Sequence, residues 1–265
     1  MAFEELKERQ SAMWGAGAYQ RITETIADIQ DLVVERLAPR EGERCLDLAC
    51  GTGAVAERAA RAGAAVTGVD LAPVLIETAR ERAAQEDLAI EYEVGDCERL
   101  RFEDGSFDVV SSTFGIMFAP DHAATARELA RVTAAGGRLA LANWRPDGGV
   151  GDMFKMMAPF APPPLAGAGN PFDWGREEHA ERLLGEAFDL RFEEHVSVHP
   201  VLTGEEYWQL FSSSFGPVKT LADSLEPNRR EELHRAWVWF FEERYRDGDG
   251  IRFAREYLLV LGARR

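Results

Sequence analysis

The sequence predicts an α/β protein built on a doubly wound, mostly parallel sheet. Three observations predict it. Strand-like and helix-like segments alternate from residue 44 to residue 144. A glycine-rich turn follows the first of those strands, and the later segments add apolar helices and further strands to the same core.

Residues 3–13 read as a short polar helix, and Trp14-Gly15-Ala16-Gly17 as a turn. A longer helix follows, with Ile22, Ile26, Ile29, Val33 and Leu37 at steps of three and four, which is a helical apolar stripe. Pro39 and Gly42 end it. The core then runs from the strand Arg44–Ala49 to a helix from about Val55. Next come the strand Val66–Val69, a helix opened by Pro73 in its first turn and the strand Ile90–Val94. The strand Phe107–Ser111, the helix Ala123–Val132 and, after Gly136-Gly137, the strand Arg138–Asn143 complete it. A parallel sheet covered by helices is the arrangement such alternation supports.

After Trp144 the pattern breaks into an irregular apolar stretch with Met153, Phe154, Met156, Met157 and Phe160 and several prolines. A helix over 177–187 follows, and residues 204–247 read as mostly helical, with Leu233, Trp237, Phe240 and Phe241 on one face. One domain is expected. Residues 1–43 form N-terminal helices and 44–144 the ligand-binding core. Residues 145–176 and 203–250 form cap or lid elements, and 190–199 and 256–263 the final strands.

Composition narrows the partners. Asp and Glu outnumber Lys and Arg by 46 to 30, a formal charge of −16. Such a chain repels phosphate backbones, which argues against nucleic acid or an anionic membrane. Cys45, Cys50 and Cys97 are odd in number and lack zinc-site spacing, so they read as reduced thiols and no metal is expected. The mixed, charged stretch Met1–Gln10 holds no apolar signal core, and no run is long enough to span a bilayer. A cytoplasmic location is the expectation.

The turn Leu46-Asp47-Leu48-Ala49-Cys50-Gly51-Thr52-Gly53 has two readings. Small residues at Ala49, Gly51 and Gly53 let a ligand approach the backbone, at the carboxyl ends of the strands where open α/β sheets bind ligands. Gly51-Thr52-Gly53-Ala54-Val55-Ala56 also satisfies a dinucleotide fingerprint, and Asp70 suits a ribose in either case. Asp47 separates them. A carboxylate is a poor neighbour for a pyrophosphate, whereas S-adenosylmethionine (SAM) brings an ammonium and a sulfonium that a carboxylate favours. Asp47 also suits hydrogen bonds to the loop's own backbone, a role compatible with cofactor binding.

Four ordered blocks now carry a resemblance: Leu46–Gly53; Gly68-Val69-Asp70-Leu71-Ala72; Gly95-Asp96-Cys97-Glu98; and Phe107–Ser112 with the later Gly136-Gly137-Arg138-Leu139. Over residues 44–144 the chain resembles the class I SAM-dependent methyltransferases, in the subgroup of ubiquinone/menaquinone-type and other small-molecule enzymes. The resemblance implies a seven-stranded Rossmann-like sheet and SAM as cofactor. It places the backbone at Ala49, Gly51 and Gly53 under the methionine moiety and gives Asp70 both ribose hydroxyls. Leu71 would pack on the adenine face, Asp96 would accept from the adenine amino group, and the Cys97 N–H would meet a ring nitrogen. Ser112 and Thr113 would lie near the methionine amine. Ala49 stands where the family pattern has its first glycine. Trp14 and Tyr19 fall where relatives fold a segment across the cofactor, and equally where aromatics anchor a helix.

No certain general base stands out. His122, after Phe118-Ala119-Pro120-Asp121, suits a base near the acceptor or part of the following helix's cap, as Asp121 more plainly does. The other histidines read as structural. The aromatic and Met-rich insertion suggests a lid over an apolar pocket, and hence a small, partly hydrophobic acceptor, aromatic or polyketide-like. Asn170-Pro171-Phe172 resembles part of a signature of nucleic-acid amino-methylating enzymes but lies far from the fourth strand, where that signature belongs. Two other classes remain open: a nicotinamide-dependent oxidoreductase, against which Asp47 and the Gly95–Glu98 block count, and a SAM-binding protein without turnover.

Overall fold

The computed structural model describes residues 3–265; Met1 and Ala2 lie outside the described residues. The chain runs α1 (Glu4–Trp14), α2 (Gln20–Thr23), α3 (Ala27–Leu37), β1 (Arg44–Leu48), α4 (Ala54–Arg61), β2 (Ala65–Asp70), α5 (Pro73–Gln85) and β3 (Ile90–Val94). It continues through β4 (Phe107–Thr113), α6 (His122–Val132), β5 (Thr133–Trp144), α7 (Gly149–Met157), α8 (Glu177–Leu184) and β6 (Phe188–Val201). The last elements are α9 (Gly204–Ser214), α10 (Gly216–Ser224), α11 (Pro227–Arg244), β7 (Arg246–Asp247) and β8 (Gly250–Arg264).

Seven strands form one continuous sheet in the order β3-β2-β1-β4-β5-β8-β6, and the two-residue β7 pairs off β8. Strands β3 to β5 are mutually parallel, whereas β8 runs antiparallel to both β5 and β6. This is the doubly wound, mostly parallel sheet expected. Helices α3, α4 and α5 pack on its β1–β5 portion; α6 and α8 pack together against β5, β6 and β8. The core strands read as continuous apolar runs: Leu46, Leu48, Val110, Leu139, Ala140 and Leu141 are all buried, as strands covered on both faces require.

Local chemistry explains most boundaries. Pro73 sits in the first turn of α5, and the Asp121 carboxylate accepts the Ala124 N–H at the start of α6. Thr203 and Glu206 form a reciprocal capping box on α9, an arrangement that satisfies otherwise orphaned N–H groups.

Two departures from the expected elements matter for the site. The long helix over Ile22–Leu37 is broken by a 3₁₀ turn at Glu24–Ile26, although its stripe of Ile22, Ile26, Ile29, Val33 and Leu37 is buried as expected. Side chains take the carbonyls there. Thr23 Oγ1 donates to Gln20 O, Thr25 Oγ1 to Ile22 O and Gln30 Nε2 to Thr23 O, and such local bonds compete with the helix ladder. The other departure is that β6 and β8 are much longer than 190–199 and 256–263. They stay paired from Phe188↔Arg264 to Val201↔Ile251. Ile251, Phe253, Arg255 and Tyr257 are buried at every second position, a strand period that an arginine on the apolar face disguises. Arg255 holds the broken turn in place: its guanidinium donates to Thr25 O at 2.6 Å, Thr25 Oγ1 at 3.0 Å and Ser197 Oγ at 2.8 Å. No helix among the described residues is long and apolar enough to cross a membrane.

Candidate functional site

A cleft with about 990 Å³ of empty space, its solvent-open mouth included, lies at the carboxyl ends of β1, β2 and β4. Parallel strands end here on loops, and the loops carry the polar groups. Of the residues singled out from sequence, Trp14, Asp47, Ala49, Gly51, Asp70, Leu71, Asp96, Cys97 and Thr113 all line it. Gly53 and Ser112 do not. A Cβ on Gly53 would lie 2.2 Å from Tyr92 Oη, and its φ is +84°, so this glycine answers to the packing of α4 on Tyr92. Ser112 is fully buried. It donates to Leu48 O at 2.7 Å and accepts from Ile116 N at 3.2 Å, tying the β4 loop to β1.

The two carboxylates at the glycine turn are buried without a cationic partner among the described residues. Asp47, at the end of β1, accepts from Ser111 Oγ at 2.8 Å and from the Ala56 N–H. Burial pushes its carboxyl up to about 7, against the pull of those two hydrogen bonds. Asp70, at the end of β2, accepts from Gly51 N at 2.9 Å and Ala72 N at 2.8 Å. Burial raises it too, opposed by these backbone N–H groups. Each Asp70 oxygen keeps a lone pair for a ligand hydroxyl. Asp70 thus does two jobs, shaping the turn and facing the cavity.

Strain concentrates beside them. Ala49 has φ +50° and Phe114 φ +57°, a region costly for residues with a Cβ. The β1 and β4 loops touch: a Cβ on Gly115 would lie 2.3 Å from that of Ala49. Phe114 stacks on Trp144. Thr113 Oγ1 is buried with no hydrogen-bond partner among the described residues, and the residue lines the cavity. A donor left unpaired beside a cavity calls for a ligand acceptor.

The roof comes from the N-terminal segment. Gln10 Nε2 donates to Phe118 O, and Ser11 Oγ to Leu71 O. Trp14 packs edge-on against Tyr19, Phe118 and Phe215 at 5.8, 4.8 and 5.7 Å. The Tyr19 ring covers Gly51, and burial, with the Asp70 charge, pushes its hydroxyl up. These two aromatics thus line the cavity and also anchor the helix. Lys7, which sequence reasoning missed, is the strongest fastener. It is buried and pairs with Asp96 at 2.6 Å and with Glu98. Burial alone would lower its pKa, but the two carboxylates hold it raised. Thr23 and Gln30 complete the polar wall, also unread in the sequence, because a polar residue among apolar helix positions carries no signal of its own.

His122 stands elsewhere. As the first residue of α6 its ring turns away from the cleft toward α8, with Nδ1 3.0 Å from His179 Nε2 and the ring against Trp174. It does not line the cavity. Burial, with the positive neighbourhood at His179, lowers it to about 4. The insertion is a second correction. No residue of 145–176 or 203–250 lines the cavity. Val150, Met153, Met157 and Trp174 are core, and Phe154 packs against Phe172 and the backs of Phe118 and Phe215. These segments support the roof from behind, and most of their large apolar side chains pack into or against the core.

Residues 46–141 match the family model described as a methyltransferase domain. An uncharacterized protein of Mycobacterium tuberculosis is 37% identical over 221 residues, which span 81% of each chain. A ubiquinone biosynthesis O-methyltransferase of Xanthomonas oryzae is 37% identical over 132 residues, 49% of this chain and 55% of that one. The chain belongs to the class I SAM-dependent methyltransferases.

The methyltransferase superposes on the YcgJ protein of Bacillus subtilis with a TM-score of 0.60 at 20% identity, over 89% of this chain and 97% of the other. It matches phosphoethanolamine N-methyltransferase 2 of Haemonchus contortus, solved with SAM, with a TM-score of 0.57 at 20% identity, over 89% of this chain and 52% of that one. SAM is its cofactor. The methyltransferase's own residues fit that molecule: close-approach backbone at Ala49 and Gly51, two unpaired carboxylates for a ligand that carries cationic centres, and an orphaned hydroxyl at Thr113.

Proposed function

We propose that this methyltransferase moves the SAM methyl group to a small, partly apolar acceptor by in-line displacement, within the cleft at the ends of β1, β2 and β4. The observation that carries the reading is the pair of buried carboxylates, Asp47 and Asp70, facing that cleft with no cationic partner among the described residues. A dinucleotide pyrophosphate would meet like charge there; a sulfonium and an ammonium meet opposite charge.

When bound, SAM supplies an electrophilic methyl carbon on a good leaving group. The chain's own residues bind, orient and exclude water. In this reading Asp70 accepts the ribose hydroxyls with the lone pairs its turn leaves free, Leu71 packs on the adenine, and Asp96 and the Cys97 N–H meet its edge. The Ala49–Gly51 backbone underlies the methionine end, where Asp47 attracts the positive charge. Thr113 holds an acceptor oxygen or nitrogen, and Trp14, Tyr19 and Phe118 wall off water. Alignment of this kind supplies much of a displacement's acceleration. The three free cysteines suit the reducing cytoplasm.

Calorimetric titration with SAM, S-adenosylhomocysteine (SAH) and NAD tests the reading. Saturable binding of both sulfur ligands, weakened at least tenfold by Asp70→Ala, is the expected result. Binding of NAD in their place would return the site to the dinucleotide class. Cofactor binding without SAH release from any acceptor would leave a SAM-binding protein.

A further inference from the structure

The charge of the cavity wall is lopsided. Its acidic residues are Asp47, Asp70 and Asp96, and its one cationic side chain among the described residues is Lys7. The charge of Lys7 is already spent on Asp96 and Glu98. Neutral polar groups (Gln10, Thr23, Gln30 and Thr113), the thiols of Cys50 and Cys97, and the aromatic rings of Trp14, Tyr19, Phe114 and Phe118 make up the rest of the polar and aromatic wall. Among the described residues no arginine and no histidine lines the cavity. SAM adds one net positive charge and loses it on demethylation, so during turnover the wall stays acidic on balance.

Resting on the reading above, we infer that the acceptor carries no anionic group and is methylated on an amine nitrogen. An acceptor carboxylate or phosphate would enter a low-dielectric cleft lined by uncompensated carboxylates, and like-charge juxtaposition of this kind discriminates strongly. A cationic product is favoured by the same carboxylates and by the faces of Trp14, Tyr19 and Phe118. For a hydroxyl acceptor's proton the wall offers no imidazole among the described residues, and its carboxylate nearest neutrality, Asp47, is already engaged by Ser111 Oγ and the Ala56 N–H. His122 is turned away, and burial pushes the Cys97 thiol up to about 12 and the Tyr19 hydroxyl higher still. An amine that reacts through its deprotonated fraction needs no such base. Its lone pair forms the N–C bond as the C–S bond breaks, and the C–S electron pair stays on sulfur as a neutral thioether. The positive charge passes to nitrogen, which later releases one proton to water.

The test is competitive calorimetry on the full chain. SAH is titrated first; failure of SAH to bind would overturn the cofactor reading itself. The SAH complex is then titrated with two probes of matched size, 2-phenylethylamine and 3-phenylpropionate. The amine is expected to bind at least tenfold tighter, and Asp47→Asn is expected to narrow that ratio several-fold. Equal or tighter binding of the carboxylate, or no binding of the amine at millimolar concentration, would overturn the inference and leave the cofactor reading standing.

Discussion

Replacing Asp47 by Asn should stabilise the ligand-free protein above neutral pH while weakening it as a SAM receptor. The carboxyl is buried and pushed from 3.8 to about 7. At about 1.36 kcal/mol per pH unit, keeping it ionised inside the fold costs roughly 4 kcal/mol. The native state binds this proton more tightly than the unfolded chain does. The stability it contributes is therefore fully present below pH 3.8 and lost as pH rises through about 7. Asn keeps an acceptor for Ser111 and loses one for the Ala56 N–H, a cost of about 1–2 kcal/mol that does not vary with pH. The gap between variant and parent should thus widen by roughly 2–3 kcal/mol between pH 5 and pH 8. For a chain of this size that is about 5–10 °C in melting temperature. Thermal unfolding of both proteins at the two pH values measures it. A gap that stays constant, or narrows, would refute the claim that a charge without a cationic partner is buried there. In the same samples SAM affinity should fall at least roughly tenfold in the variant, about 1.4 kcal/mol; in the parent it should rise between pH 6 and pH 8 as Asp47 ionises.

Ala49→Gly relieves a left-handed backbone worth about 1–2 kcal/mol and gives back roughly 0.4–1 kcal/mol in unfolded-state entropy, so denaturant unfolding should show a small gain; a loss would mean that the loop is not strained. Gly53→Ala drives a methyl into Tyr92 Oη and should cost more than about 3 kcal/mol, part of which Tyr92→Phe recovers in the double variant. Lys7→Ala strips the shared cation from Asp96 and Glu98 and should cost about 2–3 kcal/mol, with several-fold weaker SAM binding by calorimetry; unchanged binding would detach α1 from the cofactor site. His122→Gln should lower the melting temperature yet leave SAM affinity within twofold, since its ring packs on His179 and Trp174; a tenfold loss of affinity would place it back at the cavity.

The sheet was legible because its signals are local. The strands β1, β2, β4 and β5 each carry a short run of buried apolar residues, the loops after β1 and β3 carry glycines at Gly51 and Gly95, and nine of eleven expected cofactor contacts line the cleft. What was hidden depends on partners distant in sequence. Lys7 reads as one more charge on a polar helix until the fold brings Asp96, 89 residues away, to its ammonium. Gly53 reads as a ligand glycine until Tyr92 is placed over it. The insertion reads as a lid because Met and Phe signal burial without saying against what. Its side chains enter the core, and the roof falls to Trp14 and Tyr19. Arg255 hides a strand because an arginine on the buried face breaks the apolar alternation.

That arginine extends the foundations of the cavity to the far edge of the sheet. Arg255 and Ser197 do not touch the cleft, yet they fasten Thr25, whose neighbours Thr23 and Ile26 are part of its wall. A mutant library drawn only from cavity-facing positions would therefore leave out a set of residues able to reshape the wall. Substitutions at Thr25, Ser197 and Arg255 move the wall's backbone rather than its side chains, and offer a separate handle on which acceptors are admitted.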